Sequence, residues 1–182
     1  MGEEMTGKKI GIIGFGRIGQ LVCKRLAGFD VEVKFYDPFI KESPFSYARP
    51  SSDLSSVFSW ADIVTVHVPL MEKTRNLITS KELSCMRPES YLVNASRGGI
   101  LKEDDLAKLL EEKKIAGAAL DVFETEPLPQ DSKWRRNPSV VLTPHLGAST
   151  KEAQQRVSQL AVEVMETYFS KGNHLFEVLP KA

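Results

Sequence analysis

The sequence predicts an α/β fold built on a doubly wound parallel sheet of six strands. Three observations predict it. Short, β-branched apolar runs alternate with helix-like stretches along the chain. Those runs are nearly all apolar, as expected where helices cover both faces of a sheet. Polar residues collect instead where the runs stop, at Asp37, His67, Asn94, Asp121 and His145. In an open parallel sheet that carboxyl edge is where ligands bind.

The strand-like runs are 9–13, 31–36, 63–67, 91–94, 115–120 and 140–142. Helix-like stretches fill 17–28, 53–60, 80–86 and 103–113. A final helix is predicted over about 149–170. Ser149, with Glu152 three residues later, reads as a capping box. Ala153, Val157, Leu160, Ala161, Val164 and Tyr168 then recur at helical spacing, and Gly172 supplies a stop. Two long stretches, 38–52 and 122–139, carry prolines and read as loops, a length that is usually functional or mobile in a compact domain. The expectation is one domain over 1–182, with its core at about 8–147.

Composition narrows the class. Lys+Arg and Asp+Glu are both 24, so the formal net charge is zero. That weakens a nucleic-acid reading, which needs a positive field. Two cysteines, Cys23 and Cys85, make neither a disulfide framework nor a metal-ligand spacing. They suit a reducing, cytoplasmic setting. No apolar run reaches the length of a membrane span.

Gly14-Phe15-Gly16-Arg17-Ile18-Gly19 matches the G-x-G-x-x-G pattern. Three glycines at that spacing arise by chance about 0.05 times in a chain of this composition. Context strengthens the match, because the pattern follows a strand-like run and opens a helix-like one. Gly14 permits the tight bend, Gly16 lets backbone approach a pyrophosphate, and Gly19 lets the helix pack on the strand. The N–H groups of the turn, from Arg17 and Ile18 onward, would face phosphates. Asp37 closes the second run, where a carboxylate grips the adenosine ribose and repels a 2′-phosphate. The expected cofactor is therefore NAD rather than NADP.

Three further segments carry a resemblance. They are Asn94-Ala95-Ser96-Arg97-Gly98-Gly99, the stretch from Gly117 to Pro127, and Pro144-His145-Leu146-Gly147-Ala148-Ser149-Thr150. Together with the glycine pattern they resemble the D-isomer-specific 2-hydroxyacid dehydrogenases, whose cofactor domain is Rossmann-type. The stretch from His145 to Gln154 resembles the 3-phosphoglycerate branch. The resemblance implies that Arg97 binds the substrate carboxylate and keto oxygen, and that His145 is the general acid/base, paired with Glu126. It further implies that Asp121 orients the nicotinamide carboxamide, and that Ala95, Ser96 and Gly147 complete that pocket. Thr65, His67 and Pro69 would line the adenine and ribose side. A homodimer formed through the cofactor domain is also implied, with a small 2-hydroxy or 2-oxo acid as the other partner.

The chemistry holds without the family. Hydride arrival at a ketone builds negative charge on its oxygen, which a protonated imidazole quenches. A carboxylate neighbour favours the imidazolium. A planar guanidinium matches the two oxygens of a 2-oxo acid, which lysine cannot do. No metal is required. The family's substrate-binding domain is built mostly from sequence preceding the glycine pattern, and only Met1 to Lys8 precede the first run here. The expectation is an isolated cofactor domain that binds NAD with little turnover. Other 2-hydroxy acids (glyoxylate, hydroxypyruvate or lactate) are alternative substrates, and an NAD(H)-sensing interaction module is the alternative class. An inverting formate dehydrogenase is disfavoured by Glu126, where that group places Gln. Lys102 stands where relatives place an acidic cap, leaving Glu103 to Asp105 to cap the next helix. Arg135-Arg136 reads as a solvated loop pair, with a substrate phosphate as its alternative role.

Overall fold

A computed structural model describes residues 2–171. The chain divides into two compact units, Met1–Pro144 and His145–Ala182.

The first unit is a parallel sheet with helices on both faces. Its elements in order are β1 (Lys9–Ile13), α1 (Arg17–Leu26), β2 (Glu32–Tyr36), β3 (Ala48–Ser51), α2 (Leu54–Trp60) and β4 (Ile63–Val66). There follow α3 (Ser80–Leu83), β5 (Tyr91–Asn94), α4 (Glu103–Glu111), β6 (Gly117–Leu120) and β7 (Val140–Leu142). The strand order is β3-β2-β1-β4-β5-β6-β7, every pair parallel. After β1 the chain runs outward through β2 and β3, then returns to lay β4 on the other side of β1. The gap between β1 and β4 is thus the switch point where such sheets bind ligands.

Packing follows from the alternation of side chains along each strand. Ile10 and Ile12 of β1 join Phe15, Cys23, Val33 and Phe35 in one apolar cluster. Ile13, on the opposite face, joins Val57, Val64, Val66 and Leu92 in the other. Burying each such side chain stabilises the fold by roughly 1.5–3 kcal/mol. Phe15 and Phe35 stack with ring centroids 3.7 Å apart, tying the turn after β1 to β2. Asp53, read from the sequence as the first residue of this helix, instead caps α2 by accepting the Ser56 N–H at 2.7 Å.

The sheet has seven strands where the sequence predicts six. The extra one, β3, lies inside the stretch read as the 38–52 loop. Ala48-Arg49-Pro50-Ser51 has little strand character, and Pro50 cannot donate to a ladder. At the edge, paired only with β2, that defect is tolerated. Some ends shift as well. α1 stops at Leu26, and a 3-10 turn over Ala27–Phe29 replaces its predicted last turn. α3 is a single turn ending at Leu83, not Met86. α4 opens with Lys102 at its cap position and no side-chain cap. The acidic residues expected to cap it serve neighbours instead: Asp105 accepts the Ser80 N–H at the start of α3, at 2.7 Å.

The second unit holds α5 (Lys151–Lys171). The helix is where the periodicity places it, but its cap lies one residue later. Thr150 Oγ1 accepts the Ala153 N–H at 3.1 Å, where Ser149 was the expected acceptor. Val157, Leu160 and Tyr168 of the apolar stripe are exposed. The predicted stop at Gly172, and His174, lie outside the described residues. No helix among the described residues is long and apolar enough to cross a membrane.

Candidate functional site

The turn between β1 and α1 is built by its glycines. Gly14 has φ +87°, a conformation that side chains resist, and a Cβ there would lie 2.7 Å from the His67 carbonyl oxygen. A Cβ on Gly19 would sit 2.1 Å from the Gly14 carbonyl oxygen, so α1 can pack down only on glycine. Gly16, the cap residue of α1, faces open space, and no side chain caps that helix end. Arg17 and Ile18, the first helical residues, are exposed there. Uncapped N–H groups at an open glycine make an anion cradle.

Asp37 follows β2 and is only 9% exposed. Its Oδ2 accepts the Phe15 N–H of the glycine turn at 2.8 Å. Its Oδ1 accepts the N–H groups of Phe39 and Ile40 at 2.8 and 3.1 Å. The carboxylate therefore locks the glycine turn to the loop after β2. With about four acceptor sites on a carboxylate and three taken, one remains on Oδ2 for a hydroxyl. Pro38 and Phe39 are exposed beside it, Phe39 at 87%.

His67 leaves β4 next to Gly14, its N–H donating to the Ile13 carbonyl at 2.7 Å. Nε2 lies 3.0 Å from Thr65 Oγ1. Burial pushes the imidazole pKa down from 6.5 to about 4, so the ring is neutral at pH 7. Nδ1 is buried with no hydrogen-bond partner among the described residues, a polar atom that a ligand can satisfy. Pro69, two residues on, is exposed, and its carbonyl accepts the Thr74 hydroxyl.

The loops after β5 and β6 carry the charged candidates. Asn94 closes β5 buried and shapes its loop from within. Its Oδ1 accepts the Ser96 N–H, and its Nδ2 donates to the Arg97 carbonyl, both at 3.2 Å. Ser96 Oγ donates to the Val68 carbonyl, joining this loop to the one after β4. Ala95 and Arg97 are exposed, and the Arg97 guanidinium donates to the Ser96 carbonyl at 2.7 Å. Gly98 meets the next loop: a Cβ there would lie 1.8 Å from the Phe123 carbonyl oxygen. Arg97 and Glu126 thus sit on loops in backbone contact. Asp121 accepts the Thr143 hydroxyl, and its N–H donates to the Asn94 carbonyl. Glu126 Oε1 accepts the Phe123 N–H at 3.0 Å.

His145 and Gly147 open the second unit. His145 has φ +57°, the left-handed conformation that histidine, with asparagine and aspartate, accepts more readily than other side chains. Arg135 is not merely solvated, since it braces its own loop through the Leu128 and Pro129 carbonyls. The loop contacts of Asn94, Thr143 and Glu103 escape the sequence, because their partners are backbone atoms or side chains remote along the chain. Among the described residues no group of three or more His, Cys, Asp or Glu side chains could hold a metal ion.

The family model described as D-isomer specific 2-hydroxyacid dehydrogenase, NAD binding domain, matches residues 1–147. The chain belongs to this family. The cofactor is accordingly NAD, and the open glycine turn, the remaining acceptor on Asp37 and the unpartnered His67 Nδ1 fit a dinucleotide. The chain is 43% identical over 174 residues to a D-3-phosphoglycerate dehydrogenase of Bacillus subtilis, covering 94% of this chain and 33% of that protein. It is 42% identical to a glyoxylate reductase of Thermofilum pendens, covering 88% and 48%. A solved structure, an NAD-dependent formate dehydrogenase from Staphylococcus aureus in complex with NAD, superposes with TM-score 0.88 at 36% identity, covering 99% of this chain and 54% of that one. The chain thus spans a third to about half the length of these relatives.

Proposed function

We propose that this domain is the cofactor half of an NAD-dependent D-2-hydroxyacid dehydrogenase acting on 3-phosphoglycerate. NAD held by these residues would supply the hydride-transfer chemistry at the carbon that bears the hydroxyl. Arg97 holds the substrate carboxylate and keto oxygen through paired N–H groups. His145 takes the hydroxyl proton on oxidation and gives it back on reduction, and Glu126 favours the imidazolium form. Asp121 holds the nicotinamide carboxamide, with Ala95, Ser96 and Gly147 around it. Gly14, Gly16, Arg17, Ile18 and Gly19 hold the pyrophosphate, and Asp37 the ribose. Thr65, His67 and Pro69 line the adenosine side.

The observation that carries this reading is the backbone contact at Gly98, which holds the Arg97 loop against the Glu126 loop on the carboxyl edge. The 3-phosphoglycerate assignment is supported by relatives of that name in three organisms, each 42–43% identical. Glyoxylate and hydroxypyruvate reductases at 42% and 41% identity make those acids the alternatives. The protein works as a homodimer through this domain, in a reducing cytoplasmic setting. The isolated domain binds NAD with little turnover, because water exclusion and preorganisation need a second wall.

The test is NAD reduction by the protein carrying this domain, with 3-phosphoglycerate, glycolate, glycerate and D-lactate in parallel. Preference for 3-phosphoglycerate, abolished in His145→Asn, is expected. Equal or better turnover of another acid would overturn the substrate, and full activity in His145→Asn would overturn the mechanism. Light scattering decides the dimer.

A further inference from the structure

The 122–139 stretch, which carries Glu126, has no regular structure beyond one 3-10 turn at Lys133–Arg136. A single carboxylate grips it in two places. Glu103, the first residue of α4, accepts the Glu124 N–H on Oε1 at 2.6 Å and the Trp134 indole N–H on Oε2 at 2.7 Å. Its own N–H points back to Glu124 Oε1 at 3.4 Å. Trp134 is 1% exposed, so the far anchor lies in the core. Beside it Lys133 pairs with Asp104, and Lys102 lies 3.6 Å from Asp105. The helix start thus carries three carboxylates; Asp104 meets the loop at Lys133, and Glu103 holds it at two separate points.

The near anchor, Glu124, lies two residues before Glu126. One residue earlier, Phe123 donates its N–H to Glu126 and presents its carbonyl to Gly98, next to Arg97. Releasing Glu103 frees the Glu124 N–H and the Trp134 indole together. That loosens the segment on which both the Glu126 side chain and the Arg97 loop rest. Hydrogen bonds to a carboxylate are among the stronger ones, so this clasp outweighs an ordinary loop contact.

We propose that Glu103 is a positioning residue that holds the Glu126 carboxylate in place through the backbone of residues 123 and 124. The proposal rests on the reading of Glu126 as the partner of His145.

The experiment uses this chain and the variants Glu103→Ala, Glu103→Gln and Glu126→Gln. Glu103→Gln is isosteric and keeps one acceptor, so it serves if Glu103→Ala fails to fold. Two NMR readouts are taken: hydrogen exchange of the Trp134 indole proton, with Trp60 as internal reference, and the His145 imidazole titration. Exchange at Trp134 should speed up about tenfold in either Glu103 variant, while Trp60 stays unchanged. Glu126→Gln should lower the proton affinity of His145 about tenfold, and the Glu103 variants about threefold in the same direction. A merely structural Glu103 would move the exchange and leave the titration alone, and that result overturns the proposal. An unchanged titration in Glu126→Gln overturns the pairing of Glu126 with His145, and the proposal falls with it.

Discussion

The two halves of the carboxyl edge are built on opposite plans. Around β1, β2 and β4 the polar groups are wholly or largely buried: Asp37 takes three N–H groups, and burial holds His67 neutral. Around β5 and β6 the charged side chains, Arg97 and Glu126, are exposed on loops, and Asn94 and Glu103 hold the backbone beneath them. The first plan suits a ligand held in one pose. The second suits side chains that present charge to an arriving ligand. Stability and cofactor affinity should therefore depend on the first half, and chemistry on the second.

The largest effect should come from Gly19→Val. Its Cβ has nowhere to go but into the Gly14 carbonyl, so the turn must open. A loss of about 3 kcal/mol or more is expected by urea unfolding, with NADH binding abolished. A stable variant that binds NADH normally would show that the turn is looser than its geometry.

His67 gives an effect of similar size that depends on pH. Its folded pKa of about 4 lies below the ordinary 6.5, so on acidification the unfolded chain takes up the proton first. The contribution is fully present above pH 6.5 and is lost as pH falls toward 4, by on the order of 3 kcal/mol. Urea midpoints from pH 7 to pH 4 should fall less steeply for His67→Asn than for the parent chain. Identical slopes would place the acid sensitivity elsewhere.

Gly16→Ala should be the mildest change to the fold and still matter for binding. Its site is open and its φ is −68°, so stability should stay within about 1 kcal/mol. A methyl group at the cradle should nonetheless weaken NADH about tenfold in a fluorescence titration, by blocking close backbone approach. Unchanged affinity would move the pyrophosphate away from this turn.

How much of this was legible in the sequence differs between the same two halves. The glycine turn was readable residue by residue, because each glycine answers a local steric demand. Asp37 was readable as an acid at a strand end. Its hold on Phe15, Phe39 and Ile40 was not, since those donors are backbone atoms brought together by folding. β3 is not legible in the sequence, because only its pairing with β2 makes Ala48–Ser51 a strand. The capping box at Ser149 was one residue out, as Thr150 offers the same chemistry next door. Arg97 and Glu126 were legible as residue types beside strand ends, but the clasp that orders their loops was not. Glu103 looked like an ordinary acidic residue in a first helical turn.

The division between the two halves is tested most directly by one titration of NADH into the parent chain, Asp37→Ala and Arg97→Ala. Asp37→Ala should weaken NADH at least about tenfold, since it removes both the proposed ribose acceptor and the bond that shapes the turn. Arg97→Ala should leave the Kd within about twofold, because an exposed loop side chain holds none of that architecture. Equal losses in the two variants, or a larger loss at Arg97, would contradict the account.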